Sequence, residues 1–142
     1  MTAPADLGTG ALLLALVLAT TTTLMLVRRR TDGRFRSAGD TRLSSTDLGH
    51  PLGRRATFVQ FSSAVCATCP QVRRVLTELA GAEPDVVHVD LPSEAHDDLV
   101  RRLDVRRTPT VLLLDADGVV TSRTSGPVRP EQARAALATS RS

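Results

Sequence analysis

Apolar residues run without a charge from Leu7 to Val27 (LGTGALLLALVLATTTTLMLV), then stop, and from Ala56 onward they return in short periodic groups. As a helix, the first run spans ~32 Å at about 1.5 Å per residue, enough to cross a bilayer. Its weakest part is Thr20 to Thr23, where each hydroxyl can bond back to a carbonyl one turn earlier. Residues 31–53 show neither helical nor strand periodicity and are rich in Gly, Ser, Thr and Asp; with Arg28 to Arg30 before them, 28–53 read as a basic juxtamembrane segment and a flexible linker, with 46–53 able to pack as an irregular edge.

The second half alternates strand and helix patterns. Ala56 to Ser62 (ATFVQFS) reads as a buried strand. From Cys69 the apolar positions Val72, Val75, Leu76 and Leu79 recur at helical spacing, and Gly81 ends the run with Pro84 beyond it. A strand at Val86 to Asp90 and an amphipathic helix at Glu94 to Leu103 follow. Next come a strand at Thr110 to Asp115 and a turn ending in Asp117-Gly118, with Val119 to Arg123 as the returning hairpin strand. A last helix opens near Pro130 and runs through Ala133 and Leu137. The order β-α-β-α-β-β-α predicts a small α/β domain with a central mixed sheet flanked by helices: a parallel βαβ half, then an antiparallel hairpin. The expected organisation is a short tail (1–6), a transmembrane helix (7–27), a linker (28–53) and one domain (54–142).

Charge sharpens the first part of this picture. All 18 basic residues are arginine, and the net charge of +3 is concentrated in 28–53, where six arginines meet three aspartates. Arginine follows the apolar run and none precedes it, the reverse of a secretory signal; a buried core helix rarely carries such a flank. A single-pass anchor fits, and the positive-inside rule puts the N-terminus outside and the domain in the cytoplasm, with the lipid bilayer as a partner.

Composition excludes other classes. The domain is close to neutral and holds two aromatic residues, Phe58 and Phe61, so it lacks the basic face and stacking platforms of a nucleic-acid binder. Two cysteines are too few for a stapled secreted scaffold, and His50, His88 and His96 do not stand at zinc-ligand spacing from them, so no metal site is expected. His88 and His96 read as surface or half-buried residues.

The two cysteines form Cys66-Ala67-Thr68-Cys69, between a buried strand and a helix. A sulfur at a helix N-terminus faces unpaired N–H groups and the positive end of the dipole, which favour thiolate. That describes Cys66, the expected nucleophile, while Cys69, one turn on, can close a disulfide ring and resolve a mixed disulfide. No bound cofactor is needed, since the redox group is the Cys66–Cys69 pair itself. Arg73 and Arg106 are candidates for lowering the Cys66 pKa further.

Over nearly all of residues 54–139 the sequence resembles the thioredoxin family, through FVQF (58–61), CATC (66–69), VVHVD (86–90), RRTPTVLLLDADGVV (106–120) and SGPVRPEQARAAL (125–137). The resemblance implies a thioredoxin-like fold, disulfide reductase activity on protein or small dithiol and disulfide substrates, and an electron donor such as a thioredoxin reductase or a membrane thiol carrier. It also implies a cis Thr108-Pro109 bond in a loop facing the cysteines, with Thr108, Pro109 and Val65 contacting substrate. The sequence departs from the family at several points. Val65 replaces a tryptophan, Ala67-Thr68 replaces Gly-Pro, and Gln60 takes the position of a buried aspartate. Gln cannot accept a proton at neutral pH, so resolution by Cys69 needs water or substrate as base. The first β-α unit is reduced to 46–53 or missing. Two alternatives remain: a tethered redox sensor or adaptor with little turnover, and an extracytoplasmic reductase acting on exported proteins or apo-cytochromes.

Overall fold

The computed structural model describes residues 5–31, 34–38 and 41–140, which form two units, 1–31 and 32–142. The expected tail lies outside the described residues up to residue 4.

The first unit is a single helix, α1 (Ala5–Thr31), longer at both ends than the expected 7–27. Its stretch Thr9–Arg28 has a mean hydropathy of 2.2 and is long and apolar enough to cross a membrane. The threonines do not interrupt it. Thr20 Oγ1 donates to the Leu16 carbonyl at 2.9 Å, Thr23 Oγ1 donates to that of Ala19 at 2.7 Å, and Thr21 Oγ1 bonds to the Val17 carbonyl.

The second unit holds the strands β1 (Arg36–Ser37), β2 (Ala56–Ser62), β3 (Val86–Pro92), β4 (Thr110–Asp115) and β5 (Val120–Ser125), and the helices α2 (Ser45–Leu48), α3 (Cys69–Ala82), α4 (Asp97–Arg102) and α5 (Pro130–Thr139). The five strands lie in the order β1-β5-β4-β2-β3. Only β2 and β3 are parallel, joined by the α3 crossover; β4 runs antiparallel to both β2 and β5. The mixed α/β architecture is the expected one.

β2 is buried along its whole length because both its faces are covered. Phe58 packs with Val72, Leu76, Leu79, Ala133 and Leu137 under α3 and α5. Val59 and Phe61, of opposite parity, pack with Leu43, Leu48, Leu99 and Leu103 on the other face. This two-sided burial is why apolar residues occupy both parities of the strand, Phe58 on one face and Val59 and Phe61 on the other.

The linker differs from expectation. From Arg36 onward much of it belongs to the domain: Arg36–Ser37 pair with Arg123 and Ser122 of β5, and Leu43 is fully buried. Ser44 and Asp47 form a capping box that starts α2, and Leu43 N–H donates to the Gly118 carbonyl at 2.8 Å. A two-residue strand is too short to show a period, and Leu43 and Leu48 are isolated apolar residues, so periodicity gave no sign of them. Elsewhere the differences are at element ends. α4 is six residues preceded by a 3-10 turn at Ser93–Ala95, and β5 runs from Val120 to Ser125, with a register shift against β4 between Leu113 and Leu114.

Candidate active site

Three segments converge after the C-terminal end of β2. The first is the turn Ser63 to Thr68 that leads into α3. Cys66 and Cys69 are joined in a disulfide, with Sγ–Sγ 2.09 Å and Cα–Cα 5.5 Å. Cys66 is half-buried, whereas Cys69 is 2% exposed. The asymmetry follows from position: Cys69 is the first residue of α3 and faces the core, and Cys66 lies in the turn before it. The expectation that Cys66 sits at the helix N-terminus is refined accordingly, since Ala67 and Thr68 intervene and Thr68 is the N-cap. Thr68 Oγ1 lies 3.9 Å from Cys66 Sγ, and the Cys66 N–H donates to the Ser63 carbonyl at 3.2 Å. Val65 is 94% exposed, an apolar side chain presented beside the disulfide, and Ala67 is exposed as well.

The second segment is the loop before β4. Its Thr108-Pro109 bond is cis. Thr108 is half-buried, Pro109 is buried, and the hydroxyls of Thr108 and Ser63 lie 2.9 Å apart, which ties this loop to the cysteine turn. Behind it, the Pro109 carbonyl accepts from Gly126 N–H at 2.8 Å, and Thr110 Oγ1 reaches the Arg107 carbonyl at 2.7 Å.

The third is the 3-10 turn after β3, from which Glu94 Oε1 accepts the Ala64 N–H at 3.1 Å. Glu94 and Ser63 were not singled out by sequence reasoning; the partner of each lies tens of residues away, and no local pattern marks such contacts.

Beneath the turn lies Gln60, fully buried on β2. It shares a parity with Phe58 and so faces α3, where its Nε2 donates to the Cys69 carbonyl at 3.1 Å; its Oε1 has no partner.

The arginines expected near the sulfurs are engaged elsewhere. Arg73 pairs with Asp90 at 2.5 Å and Arg106 with Asp104 at 2.9 Å. The histidine side chains likewise have partners other than the sulfurs. His96 Nδ1 lies 2.9 Å from the Pro92 carbonyl, and half-buried His88 has Nδ1 3.1 Å from Thr77 Oγ1. Burial holds the His88 pKa below its usual value; Asp90 opposes that shift and Arg73 adds to it. Among the described residues, no group of three or more His, Cys, Asp or Glu side chains is placed to hold a metal ion.

A family profile described as a thioredoxin-like domain matches residues 50–141. Among solved structures, the short form of thioredoxin f from spinach chloroplast superposes with a TM-score of 0.55 at 22% identity, covering 63% of this chain and 80% of that one. A mutant thioredoxin from Halobacterium salinarum gives 0.55 at 16% identity over 63% and 77% of the two chains, and a thioredoxin from Nicotiana alata 0.53 at 19% over 63% and 76%. At these identities the likeness is one of fold. No curated protein sequence matches the chain.

Proposed function

This chain belongs to the thioredoxin-like domain family, and from that premise we propose that it is a membrane-anchored thiol–disulfide oxidoreductase. The observation that carries the reading is the Cys66–Cys69 disulfide, one sulfur half-exposed in a strand-to-helix turn and the other buried. In the reduced protein, the unpaired N–H groups at the start of α3 and the Thr68 hydroxyl favour the Cys66 thiolate. That thiolate attacks a substrate disulfide, and one substrate sulfur leaves as thiolate. Cys69 then attacks Cys66 Sγ, the second substrate sulfur leaves, and the Cys66–Cys69 disulfide is restored. An extended substrate segment would pair with the Thr108 backbone, with Val65 and Pro109 as apolar contacts. A dithiol donor, a reductase or a membrane thiol carrier, returns the electrons, and the disulfide itself is the only redox group required.

In this reading α1, long and apolar enough to cross a membrane, is the anchor, and the arginines after it support a cytoplasmic domain. The test uses the full chain in membranes. Cys69→Ser should accumulate mixed disulfides through Cys66, and the unsubstituted chain should reduce a model disulfide repeatedly with a dithiol donor. Absence of both results overturns the reading. Orientation is read separately with a cysteine placed at the exposed Ser37 in a Cys66→Ser, Cys69→Ser background. Protection from an impermeant thiol reagent in intact cells supports the cytoplasmic placement; labelling overturns it in favour of a reductase of exported proteins or apo-cytochromes.

One observation favours a second reading. Gln60, where a carboxylate would serve as base, suits a tethered redox sensor or adaptor that toggles its disulfide with little turnover. A single round of exchange without sustained turnover in the same assay selects it.

A further inference from the structure

Only half of the Gln60 amide is paired. Its Nε2 donates to the Cys69 carbonyl, and a carbonyl can only accept, so the contact fixes the amide's orientation and leaves Oε1 as the orphan. A fully buried acceptor without a donor is uncommon in folded proteins and destabilising. The oxidised site cannot supply that donor from sulfur, because the two sulfurs are bonded to each other and carry no hydrogen. Reduction changes this. Two electrons and two protons from a dithiol break the S–S bond and leave two thiols, one of them on Cys69, the residue that Gln60 already holds through its carbonyl.

We propose that Gln60 is a positioning residue for the resolving cysteine: its Oε1 accepts the Cys69 S–H in the reduced and mixed-disulfide states and holds that thiol protonated. The inference rests on the exchange reading above and assigns this chain slow resolution within it. When Cys69 attacks the mixed disulfide, its S–H bond breaks, the Cys66–Cys69 bond forms, and the bond from Cys66 to the substrate sulfur breaks with its electron pair. The proton ends on that departing sulfur, directly or through water, because the Gln60 amide cannot take it. Mixed disulfides are therefore long-lived, and resolution speeds up as pH rises toward the Cys69 titration. Asp90, opposite Gln60 in β3, pairs its Oδ2 with Arg73 of α3 and keeps its Oδ1 buried without a partner, and His88 lies two residues before it on the same strand; β4 contributes Val111, which does not titrate. The Gln60→Met comparison below separates the amide's effect from theirs, because both groups stay in place.

The test uses the full chain in detergent with dithiothreitol as the dithiol. In a Cys66→Ser background, the pH dependence of Cys69 alkylation should place its thiol above the ordinary value of ~8.5. Adding Gln60→Met, of similar length and without the amide oxygen, should raise the acid ionisation constant by about threefold, the scale of one weak hydrogen bond. In the two-cysteine protein the same substitution should shift the equilibrium with dithiothreitol about threefold toward the disulfide. Unchanged titration and unchanged equilibrium overturn the proposal. If Gln60→Met does not fold, the unsubstituted chain decides: the Gln60 side-chain carbonyl 13C resonance should move on reduction, and an unmoved resonance overturns the proposal. None of these readouts needs a protein substrate. A chain that turns over no substrate yet shows the Gln60 response keeps this inference and loses the exchange reading, and the reverse pattern does the opposite.

Discussion

The hydroxyls of Ser63 and Thr108 meet at 2.9 Å, although 45 residues separate them in the chain. Through this contact the turn carrying Cys66 and the loop carrying the cis Pro109 bond are held together, the two segments that the proposed exchange uses. Ser63→Ala leaves the half-buried Thr108 hydroxyl unpaired and should cost about 1 kcal/mol in stability. A double-mutant cycle with Thr108→Val, read by denaturant unfolding of the full chain, should return a coupling of roughly 0.5–1.5 kcal/mol. Additive losses would show that the contact does not join the segments.

Glu94 holds the same turn from the other side, by accepting the Ala64 N–H. The residue is exposed, so its removal should change stability by less than about 0.5 kcal/mol. Its effect should appear in exchange instead. Glu94→Ala frees the backbone two residues before Cys66 and should lower the exchange rate by about threefold, or ~0.6 kcal/mol of barrier. Glu94→Gln keeps an acceptor oxygen and should restore most of it. Equal loss in both variants would assign the effect to charge.

Much of this site was legible in the sequence, and the limit of legibility has a physical form. The CATC spacing, the strand before it and the helical period after it are local patterns, and they located both cysteines and the elements that carry them. The side-chain ties of Ser63 to Thr108 and of Glu94 to Ala64 were not legible, because they depend on which loops the sheet order β5-β4-β2-β3 brings to one end. Residues 36–38 and 41–45 read as a tether in the sequence for a related reason. Leu43 is buried because the β4–β5 hairpin lies against it, and nothing next to it in sequence signals that.

His88 makes stability depend on pH near neutrality. Burial lowers its pKa from the usual 6.5, so below pH 6.5 the unfolded chain takes up a proton that the folded chain does not. Stability is therefore full above about pH 6.5 and falls as pH drops toward the folded-state pKa. Urea unfolding at pH 7.5 and 5.5 should show this loss, and His88→Gln should reduce the dependence. An NMR titration midpoint of His88 at or above 6.5 would contradict the prediction.

Asp47 acts at lower pH. Its carboxylate accepts from the Ser44 hydroxyl at 2.7 Å and the Ser44 N–H at 2.8 Å, and pairs with Arg102 at 2.8 Å, which together bring its pKa down from 3.8 to about 2. A depressed carboxylate stabilises the fold above the unfolded-state value and loses that contribution as pH falls through the folded one. Acid unfolding should therefore show a component between pH 3.8 and about 2 that Asp47→Asn removes. Ser44→Ala, which deletes the N-cap of α2, should cost about 1 kcal/mol at neutral pH.

Gly118 tests whether the segment after the apolar helix is integral to the domain. Its φ of +80° lies in the left-handed region that side chains disfavour. A Cβ there would also stand 2.1 Å from the Leu43 carbonyl oxygen, a backbone atom that cannot rotate away. The same approach is needed for the Leu43 N–H to reach the Gly118 carbonyl and for the Val120 N–H to reach that of Thr41 at 2.8 Å. Gly118→Ala should therefore separate the 41–43 segment from the hairpin, at a cost on the order of 3 kcal/mol in unfolding free energy. Gly49 provides the control: its φ is +62°, but a Cβ there meets nothing within 4 Å, so Gly49→Ala carries the backbone cost alone, about 1 kcal/mol. Similar losses for the two variants would mean that the close approach of Leu43 to the hairpin contributes little. A markedly larger loss at Gly118, accompanied by faster amide exchange at Leu43 and Val120, would establish that residues 41–43 fold as part of the sheet.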